Sequence, residues 1–240
     1  MEYQDKKITD YLIEKRLPLD ILLEVKDHMA DQVAALETEQ NITFDDAFEQ
    51  TKASWGKDLE MRFSFFSYKF RKITRLQNSI MMRNQLRIQK KSLLIMLAIF
   101  FVTSYFILYI PKLSMYAFIA FNGGAAILGI AVSILGRKLL ETTKGNYKKN
   151  ISVFQRSVGS LMLTGALFIT ANNILGVDSQ IEKISGSLNE IFFQHTFKPG
   201  VFMHATMSYF YIYMVVYGYL NYISYKKAII KIKERITLEF

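Results

Sequence analysis

The chain separates into regions by the pattern of apolar and polar positions alone. Residues 1–60 set apolar side chains at helical spacing among many acids, whereas residues 92–111, 113–136, 157–177 and 199–225 contain no charged residue. A bilayer core about 30 Å thick needs a helix of roughly 20 apolar residues, and water-soluble folds seldom keep one run of that length free of charge. Four such runs predict four transmembrane helices. An all-α membrane protein follows, with residues 61–91 leading into the first span and residues 226–240 forming a tail.

Three short helices are expected in residues 1–60. Ile8, Tyr11 and Leu12 share a face of the first. Leu17-Pro18 then breaks the chain, because proline fits the first turn of a new helix but not the interior of an old one. Leu22, Val25, Met29, Val33 and Leu36 recur at steps of three and four, which puts them on one face of the second helix and leaves the other acidic. Thr43 is placed to cap the third helix, with Asp45 and Asp46 in its first turn at the positive end of the helix dipole. Phe44, Phe48, Thr51 and Trp55 make its buried stripe, and Gly56 marks its stop. So small a unit buries too little surface to stand alone, so it is expected to lean on the helix that follows, on the membrane surface or on a partner.

The connecting segment has a different pattern. Residues 62–91 hold nine Lys/Arg and no acid, interleaved with Phe63, Phe66, Phe70, Ile73, Leu76 and Ile80 at steps of three or four. A basic amphipathic helix of this kind lies in the headgroup region, with Arg62, Lys69, Arg71, Lys72 and Arg75 reaching for lipid phosphates. The alternative is an extension of the first span that packs against the N-terminal module.

Charge adds an orientation. Residues 1–60 have 7 Lys/Arg against 15 Asp/Glu, and the remainder have 23 against 6. In the flanks of the four runs, Lys/Arg number 9 over residues 62–91, 1 between the first two runs, 6 over residues 137–156, 2 over residues 177–198 and 5 in the tail. Cytoplasmic flanks retain basic residues, so both termini are expected in the cytoplasm of a multi-pass protein of the bacterial inner membrane. The positive charge mostly flanks the spans, which makes anionic lipid headgroups, not nucleic acid, the expected partner. The acidic first 60 residues show no apolar core of signal-peptide length, so the first span is expected to serve as the insertion signal.

Within the spans, Ala125, Gly129 and Ser133 lie four apart, and Gly159, Ser160, Gly165 and Ala166 offer a similar small-residue face. Such faces let helices approach closely, so spans two and three are expected to pack together, and self-association is permitted. Asn122, Asn172, Asn173 and His204 fall in the outer half. Hydrogen bonding between helices is the expected use of this cluster, and a small outward-facing ligand site is the alternative. Tyr209, Tyr213 and Tyr217 form a stripe in span four. Ile181, Ile184, Leu188, Ile191 and Phe192 predict a surface helix between spans three and four. No Asp, Glu, Lys or Arg lies within a span, which disfavours ion-coupled transport.

Signs of catalysis are missing. There is no cysteine, no phosphate-binding glycine loop, no HExxH and no GxSxG, so no enzyme, metal or cofactor is expected. Glu24, His28 and Asp31 share one helix face, but one helix supplies too few ligands, and a solvated acidic face is the expected reading.

Tyr11-Leu12, Leu17-Pro18, the Glu24-His28-Asp31 helix, Thr43-x-x-Asp46-Ala47 and Trp55-Gly56 together resemble the bacterial HAAS-type, or permease-prefix-like, helical domain. Asn41-Ile42-Thr43 stands where that pattern usually has a glycine-containing turn. The resemblance covers about the first quarter of the chain. It implies a role in transmembrane signalling or in regulating a protein partner, as in proteins linked with PadR-like transcription regulators. A regulatory membrane protein is therefore the expected function, with a small transporter or permease subunit as the alternative.

Overall fold

The computed structural model describes residues 2–64, 72–144, 150–195 and 199–238. Apart from one two-stranded hairpin, the regular elements are helical: α1 (Glu2–Glu14), α2 (Leu19–Gln40), α3 (Phe44–Trp55), β1 (Met61–Phe63), β2 (Lys72–Thr74), α4 (Arg75–Tyr109), α5 (Pro111–Leu135), α6 (Arg137–Glu141), α7 (Gly159–Phe168), a π-helical turn (Ile169–Ile174), α8 (Val177–Phe192) and α9 (Pro199–Leu238). The chain forms two compact units. One comprises Met1–Leu86, Gly145–Gln155 and Tyr225–Phe240, and the other Arg87–Lys144 and Arg156–Ser224.

The first unit is built on the three N-terminal helices. Ile8, Leu12, Val25, Met29, Val33 and Phe48 are buried, with Tyr11, Leu22, Leu36, Phe44 and Trp55 packed around them. Thr43 caps α3, its hydroxyl accepting the Asp46 N–H at 3.3 Å. Asn41 takes the left-handed conformation (φ 52°) that ends α2, a conformation that asparagine tolerates better than most residues. Gly56 ends α3 in a right-handed conformation, so the stop is where the sequence puts it but does not use glycine's freedom at positive φ. The core does not close on residues 1–60. Ile73, Met81 and Val153 are buried in it, with Leu76, Ile80 and Phe154 against it.

The connector differs from the amphipathic helix expected over residues 61–91. Met61–Phe63 and Lys72–Thr74 pair as antiparallel strands, Arg62 opposite Ile73, and helix begins only at Arg75, running without a break into the first apolar run. The cause is a competing use of the apolar stripe. Ile73, Leu76 and Ile80 serve the core of the first unit, so they are not presented to acyl chains, and Phe63 alone of the described stripe is mostly exposed.

In the second unit α5 packs against α7, the π-helical turn and α8. Its core holds Phe118, Ala126, Met162, Ala166, Ile169, Ile184, Ile212 and Val215. Small residues make the close approaches. A Cβ on Gly129 would lie 2.7 Å from the Cβ of Ala166, and one on Gly218 would lie 2.6 Å from the Cβ of Met162. Gly129 is one of the small residues expected to do this, and Gly218 is not. α8 is the helix expected between the last two runs, but Ile184 and Leu188 bury it in the core. Among the described residues α4 and α5 are long and apolar enough to cross a membrane. A third crossing is added if the α7 and π-helical segment and α8, bent by 85°, count as one span. α9 is long enough but less apolar, since seven tyrosines, His204 and Asn221 interrupt its charge-free run.

Candidate functional site

The N-terminus of α2 is where the first unit gathers separate parts of the chain. A helix start leaves backbone N–H groups without intrahelical acceptors, and Pro18, which precedes α2, supplies no side-chain cap. The segment at residues 150–155 fills that need. The Leu19 N–H donates to the Asn150 carbonyl at 3.1 Å, and the Asp20 N–H to the Ile151 carbonyl at 3.2 Å. Asn150 Nδ2 donates in turn to the Arg16 carbonyl at 3.2 Å.

Asp20 secures the same segment from its side chain. Its carboxylate accepts the Ser152 hydroxyl, and the Val153 N–H at 3.1 Å. It also accepts the Ile21 N–H at 2.9 Å. Burial pushes the Asp20 carboxyl above its ordinary range, and these hydrogen bonds pull against that shift. Val153 is then buried beside Ile21 in the core, and Phe154 packs on it. The tail arrives at the same helix, with Ala228 and Ile232 buried and Arg235 pairing with Asp27 at 3.1 Å. Asp20, Glu24, Ile80, Phe154, Lys231 and Arg235 border a cavity of about 280 Å³ there. No loop pattern in the sequence announced this clamp. The available signal was Val153-Phe154, an apolar pair inside an otherwise basic linker.

The expected polar cluster is only partly assembled. Asn173, fully buried in the π-helical turn, donates through Nδ2 to Asn122 Oδ1 at 2.7 Å and to the Ser208 carbonyl at 3.2 Å. Asn122 Nδ2 donates to its own helix, at the Phe118 carbonyl. Ser208 Oγ reaches Gln180 Oε1 at 3.2 Å. Asn173 Oδ1 has no hydrogen-bond partner among the described residues. Asn172 points elsewhere: it is exposed, and its Nδ2 bonds the Phe168 carbonyl one turn back. The side chain of His204 lies outside the described residues. Of the tyrosine stripe, Tyr209 is buried and bonds Thr103 Oγ1 of α4 at 2.7 Å, whereas Tyr213 and Tyr217 stack on each other.

The expected headgroup contacts are dispersed. Arg62 pairs with Glu60 at 2.8 Å, Lys72 is exposed on β2, and Arg75 is half-buried at the start of α4. Lys69 and Arg71 lie outside the described residues. Among the described residues no group of three or more His, Asp or Glu is placed to hold a metal ion, and Glu24, His28 and Asp31 form no such group.

No family model, curated protein or solved structure matches this chain.

Proposed function

We propose that the chain is a four-span membrane protein of regulatory type, in which a cytoplasmic helical module is mechanically coupled to a transmembrane bundle and presents its faces to a protein partner. The single observation that carries the reading is the clamp at the start of α2. It ties residues 150–155, drawn from between the second and third charge-free runs, to a module that precedes the first run.

The composition of the first unit supports a shared side. Its three pieces come from before the first run, between the second and third, and after the fourth. A water-facing unit with ion pairs such as Lys26–Asp5 and Arg235–Asp27 has all its pieces on one face of a bilayer, which requires an even number of crossings between them. The flanks of the runs on that side, residues 62–91, 137–156 and 226–240, carry the basic counts 9, 6 and 5, so the positive-inside rule assigns that face to the cytoplasm. The resemblance to HAAS-type modules points in the same regulatory direction. In this mechanism a change among the spans pulls on residues 150–155 or on the tail and alters which module surface is available. Site-specific cross-linking from exposed Tyr3 and Ile13 in native membranes is the test. One reproducible partner, captured by the full chain and lost when Asp20→Ala frees the clamp, supports the reading, and equal capture by both chains contradicts it.

A transporter reading draws on one observation, the break between the π-helical turn and α8 with the Asn173 oxygen, which has no partner among the described residues, beside it. Broken helices near buried polar groups build binding sites in many transporters. Solute movement by a reconstituted chain lacking residues 1–60 would favour it over the regulator.

A further inference from the structure

The second unit carries a cavity of about 390 Å³ where α6 and the turn after it meet the start of α7. Arg137 and Lys144 line it with the hydroxyl-bearing Ser157 and Ser160, Glu141 stands among them, and Leu163 lies on its apolar side. We infer that this cavity binds the phosphodiester headgroup of an anionic phospholipid.

Three observations converge on that ligand. The first is position. The charge-free runs end at Gly136 and resume at Ser157, so the cavity sits at the boundary between apolar and charged sequence, the level at which lipid phosphates lie. The second is charge. Arg137 and Lys144 carry two positive charges against the single negative charge of Glu141, which leaves one in excess, the complement of a singly charged phosphodiester. Arg137 pairs with Glu141 at 3.0 Å, and both are exposed; Lys144 is exposed and has no ion-pair partner among the described residues. The third is the gradient of polarity. Ser157 and Ser160 are exposed and supply hydroxyl donors at one end, while Leu163 is an exposed apolar side chain on which an acyl chain can lie. A soluble phosphate would use the first end and not the second. Arginine forks and lysine point charges are the usual protein donors to phosphate oxygens. These residues are distinct from the connector cations, so the site is additional to the headgroup contacts expected there.

The inference rests on the membrane reading above, and its test separates the two. The full chain is purified in mild detergent from membranes, equilibrated with equal amounts of phosphatidylglycerol and phosphatidylcholine, and bound lipid is counted by native mass spectrometry. Wild type is expected to retain phosphatidylglycerol at least fivefold over phosphatidylcholine. Arg137→Gln with Lys144→Gln is expected to abolish that preference, Ser157→Ala with Ser160→Ala to reduce it, and Lys226→Gln with Lys227→Gln, which removes the same charge from the tail, to leave it unchanged. Equal retention of the two lipids by wild type, or an unchanged preference in the Arg137/Lys144 variant with an intact helical spectrum, overturns the site. Displacement of the lipid by millimolar inorganic phosphate overturns the lipid assignment in favour of a free anion. A chain that needs no detergent refutes the membrane reading itself, whichever lipid it retains.

Discussion

The two units invert each other's rules for placing side chains. In the first, apolar residues close inward and the outside carries ion pairs such as Lys7–Asp45 and Lys26–Asp5. In the second, Phe101, Tyr116, Ile127 and Leu135 are largely exposed, at 62%, 70%, 70% and 87%, while the amides of Asn122 and Asn173 are fully buried. Soluble monomers rarely expose so many contiguous large apolar groups, and a lipid solvent removes the cost. The exposed apolar side chains of the second unit suit a lipid solvent, as the proposed membrane reading requires. What holds each unit therefore differs: burial and backbone capping in the first, close helix approach and hydrogen bonds between helices in the second.

The largest perturbation is expected where helices touch without room for a side chain. Gly218→Leu puts a Cβ 2.6 Å from that of Met162 and adds three further carbons. Overpacking of this kind costs about 1–3 kcal/mol or more, so the detergent-solubilised variant is expected to melt several degrees lower, whereas Gly186→Ala, at a position inside α8 with open space, is expected to hold or slightly raise the melt. Next comes the clamp of the first unit. Asp20→Ala removes the acceptor for Ser152, Val153 and Ile21 and leaves buried donors unpaired, at about 1–3 kcal/mol. Protease cleavage within residues 145–155 is expected to quicken accordingly.

Asp20→Asn distinguishes charge from hydrogen bonding at that point. Burial raises the Asp20 carboxyl, so the folded chain holds its proton more tightly than the unfolded chain. The stabilisation from this group is complete below the unfolded carboxyl range and is lost as pH rises through the folded one. The amide keeps an acceptor without the buried charge. Asp20→Asn is thus expected to be at least as stable as wild type at neutral pH, and a urea titration across pH is expected to show that it lacks this part of the pH slope.

Smaller again is the polar pair of the second unit. Asn122→Leu removes one of the two acceptors of Asn173 Nδ2, and hydrogen bonds of this type between membrane helices average about 0.6 kcal/mol. The double change Asn122→Leu with Asn173→Leu is expected to be less harmful than the sum of the single changes, as a double-mutant cycle of melts would show. The smallest effect is at the surface. Arg235→Ala breaks a partly exposed pair with Asp27 and is expected to cost under about 1 kcal/mol, with the electrostatic part of the loss vanishing at high salt.

Legibility follows the same division. The faces of α1 to α3, the Thr43 cap and the small-residue contact at Gly129 were readable because each rests on local spacing. The β1–β2 hairpin was not, since Phe63, Ile73, Leu76 and Ile80 fit a helical period equally well until strand pairing and core burial compete for them. The Asp20 clamp joins residues more than 130 positions apart, and only folding brings Ser152 to the start of α2. Asn122 and Asn173 were legible as polar groups in apolar runs, yet which of Asn172 and Asn173 turns inward depends on the π-helical turn. That irregularity has no sequence period to announce it.

The central claim is that the three pieces of the first unit share one face of a bilayer. The chain has no cysteine, so single introduced thiols report cleanly. Glu39→Cys, Asn150→Cys and Lys227→Cys are expected to react with a membrane-impermeant maleimide only in inverted vesicles, and Lys112→Cys only in intact cells. Labelling of Glu39→Cys and Lys227→Cys from opposite faces, or of Asn150→Cys from the side opposite both, would contradict the account.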